Sequence, residues 1–590
     1  MTTQHNPAGR ILRDIRHGGE VLPDEAKNAR ELADAIPDVS LASAAVPGVD
    51  LQPDPATTPF NYLFETLVGD PDAHLPADNP PAVVAALVTL GRALIEAPPT
   101  DPDNEPFGSN INSTIPAVFT YLGQFIDHDL TANTDRENTI GNVSDADLHP
   151  EDPAVVVAEL RNLRLPQLNL DSVYGDGPTF PGEPKTQAFD QYDGIELKVG
   201  QVQLVGNPGT PNPPGDRIPL EADLARDLPR DADGIAIIGD GRNDENLIIA
   251  QLHTAFLRFH NATVTWVRKY EAIEYTSERD IFERAQQLVR WHYQWIVVND
   301  FLAKIALPGV VDQVVVEGNK LFDKRDGEVY MPLEFSVAAY RFGHSMVRGV
   351  YDYNRNFGRP GRVLRTAPFN LIFAFTGKGG FGRRGNQPKN TDVLPFNWVI
   401  EWDRFVEEAP RFPDHFTRKI DTNLAPPLFS MANEVQGLPT GTPPEVLIKE
   451  ILERLAVRNL LRGYQLSIPT GQAIANLLQL SPMTEDELQE NNSAEVNDAL
   501  AAGGFLERTP LWYYVLKEAE VRAGGNSLGE LGSRIVVETI VGQIRNDPDS
   551  YLSQRYPGWT PNQGVRLPDG QPVRTLKDLF RFAGLLPTRP

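Results

Sequence analysis

Residues 121–131 read Tyr121-Leu-Gly-Gln124-Phe-Ile-Asp127-His128-Asp129-Leu-Thr131, and the fold is best read outward from them. Upstream, Val118, Leu122, Phe125 and Ile126 fall on one face at helical spacing, and Pro116 suits a first helical turn. A helix is predicted over 116–129. The polar triplet Asp127, His128 and Asp129 directly follows the apolar stripe. One side of that turn therefore points inward while its neighbours can hold other groups. A histidine between two carboxylates has its charged form favoured. The plain alternative is a solvated helix end, since a single helix histidine is more often structural than functional.

The same periodicity predicts further helices at about 244–270, with Ile249, Leu252, Phe256 and Phe259 in register, and at about 277–306 behind the capping-box pattern Ser277-Glu-Arg-Asp280. Others are expected at 332–348, 444–457, 470–478, 511–523 and 528–544. Sustained strand alternation is scarce. Pro- and Gly-rich stretches at 177–230 and 377–385 read as long loops, the first with a short hairpin near 195–205. Residues 1–54 are polar and weakly periodic, as a tail or surface arm would be. The expectation is a mainly α protein: one large helical domain over 55–590, with long loops and little β-structure.

The chain has 590 residues, 54 Lys+Arg against 80 Asp+Glu and a formal net charge of −26, which disfavours nucleic acid as a partner. It has no cysteine, so disulfides, zinc–thiolate and iron–sulfur sites and a thiolate-ligated haem are excluded. With only five Met, little is left for an oxidant to damage. The N-terminus has no apolar core of the secretory kind, and the most apolar run, 82–90, is far shorter than the roughly 20 residues of a membrane helix. A soluble protein is expected, cytoplasmic or exported by a leaderless route.

Three other segments could carry chemistry. In Tyr340-Arg341-Phe342-Gly343-His344, Arg341 and His344 share a helical face, and Gly343 leaves room for a flat group beside the histidine. Asp240-Gly-Arg242-Asn-Asp-Glu245 heads the second helix. Arg242 is there either a surface residue or a pocket cation, and Glu245 complements the helix dipole. In Leu165-Pro-Gln167-Leu-Asn169-Leu-Asp171-Ser-Val-Tyr174, the oxygens of Asn169 and Asp171 can face one side and could join carbonyls around a hard cation, though a hydrogen-bonded turn is the simpler reading. His253 and His260 lie two turns apart, roughly 10 Å, too far to share one zinc ion.

Taken in order, these four segments resemble the peroxidase–cyclooxygenase superfamily, the animal-type haem peroxidases, and within it the bacterial members. The resemblance runs over roughly residues 55–590 and is densest in YLGQFIDHDLT, LNLDSVYG, GDGRNDENLIIAQLHTAFLRFHN and AAYRFGHSMV. It implies a b-type haem with His344 as proximal iron ligand, His128 as distal acid and base, Arg242 as stabiliser of developing charge and Gln124 at the peroxide or halide site. Asp127 and Glu245 match carboxylates that ester-link the haem in animal members. Arg341 stands three before the proximal histidine, where cyclooxygenase-type members have their radical tyrosine. Tyr340, one position off, is expected to point elsewhere. Asp129 and the loop of Leu165, Gln167, Asn169 and Asp171 match a calcium site. Leu165 and Asn169 weaken it, since the family often has Thr and Asp there. The Pro469-Thr-Gly-Gln472 segment suggests Gln472 as the amide that bonds the proximal histidine.

The implied activity is hydrogen-peroxide-dependent oxidation of halide, thiocyanate or small aromatic donors through an oxoferryl state. Two rivals share the pattern. One is a haem-dependent fatty-acid dioxygenase of the same superfamily. The other is a non-catalytic calcium-binding or adhesion protein that retains the fold.

Overall fold

In the computed structural model, the described residues are 58–96, 111–132, 148–183, 191–203, 223–232, 234–325, 327–358, 367–373, 375–377, 393–406, 415–431 and 441–586. The N-terminal arm, most of the second Gly-rich loop and parts of the first lie outside them. Among the described residues helices dominate, and strands run two to five residues. One buried apolar cluster extends from Phe60 to Leu586. Among the described residues no helix is long and apolar enough to cross a membrane.

Seven helices frame the centre: α1 (Pro80–Ala93), α2 (Val118–Leu130), α3 (Leu247–Tyr270), α4 (Glu278–Ile296), α5 (Leu455–Gln465), α6 (Leu511–Ala523) and α7 (Glu530–Asn546). The predicted helix at 116–129 is α2, and the apolar face read from sequence is the face it buries. Phe125 of α2 stacks on Phe256 of α3 with ring centroids 4.7 Å apart, and Tyr293 of α4 meets both rings edge-on. Such pairs contribute about 0.5–1.5 kcal/mol each beyond their area burial. They fix α2, and so His128, against the α3–α4 pair.

Helix α3 starts behind a 3₁₀ turn, Gly241–Asp244, with the Asn246 side chain accepting from Ile249 N–H. α4 starts on the predicted Ser277/Asp280 capping box. Its C-terminal end widens into a π turn, Val297–Phe301, before Leu302–Ile305. α1 lies across α5 at Gly91, where a Cβ would come within 2.7 Å of Val457 Cγ2 and 2.9 Å of its Cα, so Gly91→Ala would force the helices apart.

Three sequence expectations need correction here. The segment 332–348 is not one α-helix but a π turn, Glu334–Ala338, followed by a 3₁₀ turn, Ala339–His344. Expected helix 444–457 is two, Pro443–Glu453 and α5, broken at Arg454. The short hairpin lies slightly earlier than read, pairing Tyr192–Asp193 with Glu196–Leu197.

Candidate active site

A cavity of about 540 Å³ opens at the centre. Helix α2 contributes Gln124, Asp127 and His128 to its wall, the head of α3 contributes Glu245 and Asn246, and the 3₁₀ turn contributes Tyr340, Arg341, Gly343 and His344. Two histidines distant in sequence thus share one chamber. The volume lies in the range of cofactor sites. A Cβ on Gly343 or Gly349, both in the wall, would meet nothing within 4 Å. The glycines keep the wall flat on that side.

His128 is fully buried. Its Nδ1 lies 2.8 Å from Asn243 Oδ1, and Asn243 Nδ2 lies 3.0 Å from Nδ1 of His253. An amide oxygen only accepts, so Nδ1 of His128 carries the proton and Nε2 keeps a lone pair. Burial, with the nearby Arg242 charge, pulls the His128 pKa down to about 3. The ring is therefore neutral at ordinary pH. The favouring of its charged form, read from the flanking carboxylates, loses to desolvation. Asp127 Oδ1 instead accepts from Thr131 Oγ1 at 3.0 Å, and Asp129 turns away into the 165–171 loop.

Arg242 is buried but absent from the cavity wall. Its Nε and Nη2 donate to Asp240, and Nη2 also donates to the His128 carbonyl at 2.8 Å. It holds the His128 backbone through that carbonyl. Gln124 reaches the cavity: Nε2 donates to Glu245 Oε1 and Oε1 accepts from Asn246 at 3.2 Å. Asp127 and Glu245 both line the chamber, as an ester-forming pair requires.

Also in the wall, His344 has its Nδ1 3.2 Å from the side-chain amide of Asn459 on α5. With its side-chain oxygen turned to Nδ1, Asn459 would accept from an Nδ1–H. Nε2 would then be the basic nitrogen. The expected partner Gln472 is not there. Its Nε2 donates to Leu506 O at 3.1 Å and Thr509 Oγ1 at 2.6 Å, and its Oε1 accepts from Thr509 N–H at 2.9 Å. Arg341 lines the cavity as expected, with Nε donating to Ser336 O at 2.9 Å. Tyr340, expected to point elsewhere, also lines it and donates to Gly123 O at 3.2 Å. The tight turn, not an α-helix, decides that direction.

These residues fit a haem. A neutral His128 and a second imidazole, His344, line one chamber, Gly343 and Gly349 leave open space in its wall, and the carboxylates of Asp127 and Glu245 line it too. Arg341 and Arg458, both in the wall, could pair with anionic substituents. The proposed calcium donors behave differently. Asn169 Oδ1 accepts from Asp171 N–H at 3.0 Å, the turn that was the simpler reading. Leu165 O accepts from Gln167 N–H at 2.8 Å, and Asp171 Oδ1 accepts from Arg164 at 2.5 Å. Among the described residues no cluster of three or more His, Asp or Glu side chains could hold a metal ion. His253 and His260 are buried hydrogen-bonding residues, the latter between Tyr174 OH and Ile195 O.

A mainly α fold thus brings two imidazoles, His128 and His344, into the wall of one chamber. Residues 189–372 match the family model for animal haem peroxidase. A peroxidase-like protein of Margaritifera margaritifera is 29% identical over 276 residues, 40% of this chain and 32% of that one. Human thyroid peroxidase is 26% identical over 183 residues, 30% of this chain and 19% of its own length. The chain thus matches a third or less of these relatives. Peroxidase A of Dictyostelium discoideum superposes with a TM-score of 0.53 at 15% identity, covering 91% of this chain and 95% of that one, a likeness of fold. Over residues 189–372 the chain is therefore similar to the animal haem peroxidase domain.

Proposed function

We propose that the chain is a haem peroxidase that uses hydrogen peroxide to oxidise halide, thiocyanate or small aromatic donors. The observation that carries this is the neutral His128 ring, held by Asn243 in the wall of the chamber that His344 also lines. When bound through His344, haem supplies the redox chemistry. The protein's part is proton handling. His128 Nε2 takes a proton from peroxide and returns it to the departing oxygen, as base and then acid. Gln124, in the wall, offers an amide to the oxygen that gains charge. Arg242 serves as a positioning residue that fixes the His128 backbone. Asn459 sets the orientation and basicity of His344.

Asp127 and Glu245 support at least one ester link to the haem edge. Acidified organic extraction after peroxide treatment tests it: the pigment stays with the protein, and complete release would show no link. The overall reading is tested by adding hydrogen peroxide and bromide, thiocyanate or guaiacol to haem-loaded protein. Turnover with at least one donor is expected, and none with any would defeat it. Tyr340 in the wall favours one second reading, a fatty-acid dioxygenase. Oxygen uptake with linoleate, abolished by Tyr340→Phe, would establish that instead.

A further inference from the structure

We propose that the calcium site implied by the resemblance is lost from this chain and that a buried guanidinium, Arg164, stands in its place. Arg164 sits just before the loop and its side chain is 1% exposed. Nη1 donates to Asp171 at 2.5 Å and Nη2 to Asp240, so one planar cation bridges two carboxylates. Asp240 passes the link on to Arg242, and Arg242 to the His128 carbonyl. Arg164 is tied to the same helix by its backbone. Its N–H donates to Asn162 Oδ1, which also accepts from Ala132 N–H, while Asn162 Nδ2 donates to Leu130 O.

A calcium ion needs six to eight oxygens at about 2.3–2.6 Å. Here the candidate oxygens already face hydrogen-bond donors. Asp129 accepts from Leu170 N–H at 3.1 Å and Ser172 Oγ at 3.4 Å, and Gln167 O accepts from Gln294 at 3.2 Å. A divalent ion among these groups would also lie close to a guanidinium in a dry interior, where like charges repel strongly. Arg164 supplies both the positive charge and the directional bonds. A lysine could supply the charge but not the planar fork. The network holds α2 whatever the chain catalyses; only its consequence for His128 rests on the peroxidase reading.

The test uses the full haem-loaded chain, dialysed against calcium and then desalted. Elemental analysis should find well under one calcium per chain, and the thermal midpoint should be the same in chelator and in about 1 mM calcium. Arg164→Ala should lower the midpoint and make it rise with added calcium, since Asp171 and Asp240 then lose the cation that bridges them. Arg164→Lys should recover part of the loss. One tightly held calcium per chain in the unaltered protein, or a midpoint that falls on chelation, would overturn the assignment. So would an Arg164→Ala protein as stable as the parent. If Arg164→Ala does not fold, the parent's calcium content and the Lys variant decide. None of these readings depends on peroxidase turnover, so they stand apart from the functional assay.

Discussion

Acidification is the perturbation that separates this distal site from an ordinary exposed histidine. His128 has a pKa lowered to about 3, first by burial and then by the Arg242 charge. Peroxide activation needs Nε2 unprotonated. A histidine at its usual 6.5 would be only about 3% neutral at pH 5, so the peroxide rate would fall roughly 30-fold from its value at pH 7.5. A pKa of about 3 leaves the ring about 99% neutral at pH 5, and the fall should stay below about twofold. Stopped-flow mixing of haem-loaded protein with hydrogen peroxide from pH 7.5 to 5 gives the rate constant directly. An acid limb with its midpoint near 6.5 would refute the reasoning. Asn243→Asp, which puts a carboxylate beside Nδ1, should move the limb upward in pH.

Other expectations follow from the same geometry. His292 accepts from Val565 N–H at 3.0 Å and donates from Nδ1 to Val573 O at 2.8 Å, and burial lowers its pKa to about 3. The unfolded chain takes up a proton below about 6.5 and the folded chain does not, so stability is lost as pH falls through that value. His292→Gln, which keeps both bond types, should remove about 2 kcal/mol of the stability loss between pH 7.5 and 5 in urea unfolding; an unchanged pH slope would contradict this. Asn459→Leu should raise the iron reduction potential in spectroelectrochemistry by weakening the proximal imidazole's anionic character, whereas Gln472→Ala should leave it unmoved. Gln472→Ala should instead cost about 1–3 kcal/mol of stability, because Thr509 N–H loses its acceptor. Replacing both Asp127 and Glu245 by their amides should let acidified solvent remove all haem from peroxide-treated protein, and retained pigment would place the link elsewhere.

What the sequence disclosed, it disclosed through local rules. Helices α2, α3, α4 and α6 carry a 3.6-residue apolar period or a cap, and both histidines of the chamber sit at the ends of recognisable segments. The turn that presents His344 was misread because apolar residues fill it on all sides, leaving no period to distinguish π, 3₁₀ and α windings. Residues i and i+3 eclipse in a 3₁₀ turn, so Arg341 and His344 still share a face. Asn459 escaped notice because its contact spans 115 residues. Its one local signal is an amide on the buried face of α5, where apolar residues would be expected. Arg164 gave none: an arginine ahead of Leu165-Pro reads as a surface loop, and only the fold brings it to Asp240, 76 residues away. Arg242 is expected from sequence as a pocket cation, but Asp240, two residues before it, holds its guanidinium against the His128 carbonyl, outside the cavity wall.

Replacing His344 reaches the centre of the account. His344→Gly, prepared with haem and examined by visible absorption and electron paramagnetic resonance, should lose the histidine-ligated spectrum and its turnover, and added imidazole should restore part of both. A His344→Gly protein with the parent's spectrum and peroxide turnover would mean that the iron is held by some other group.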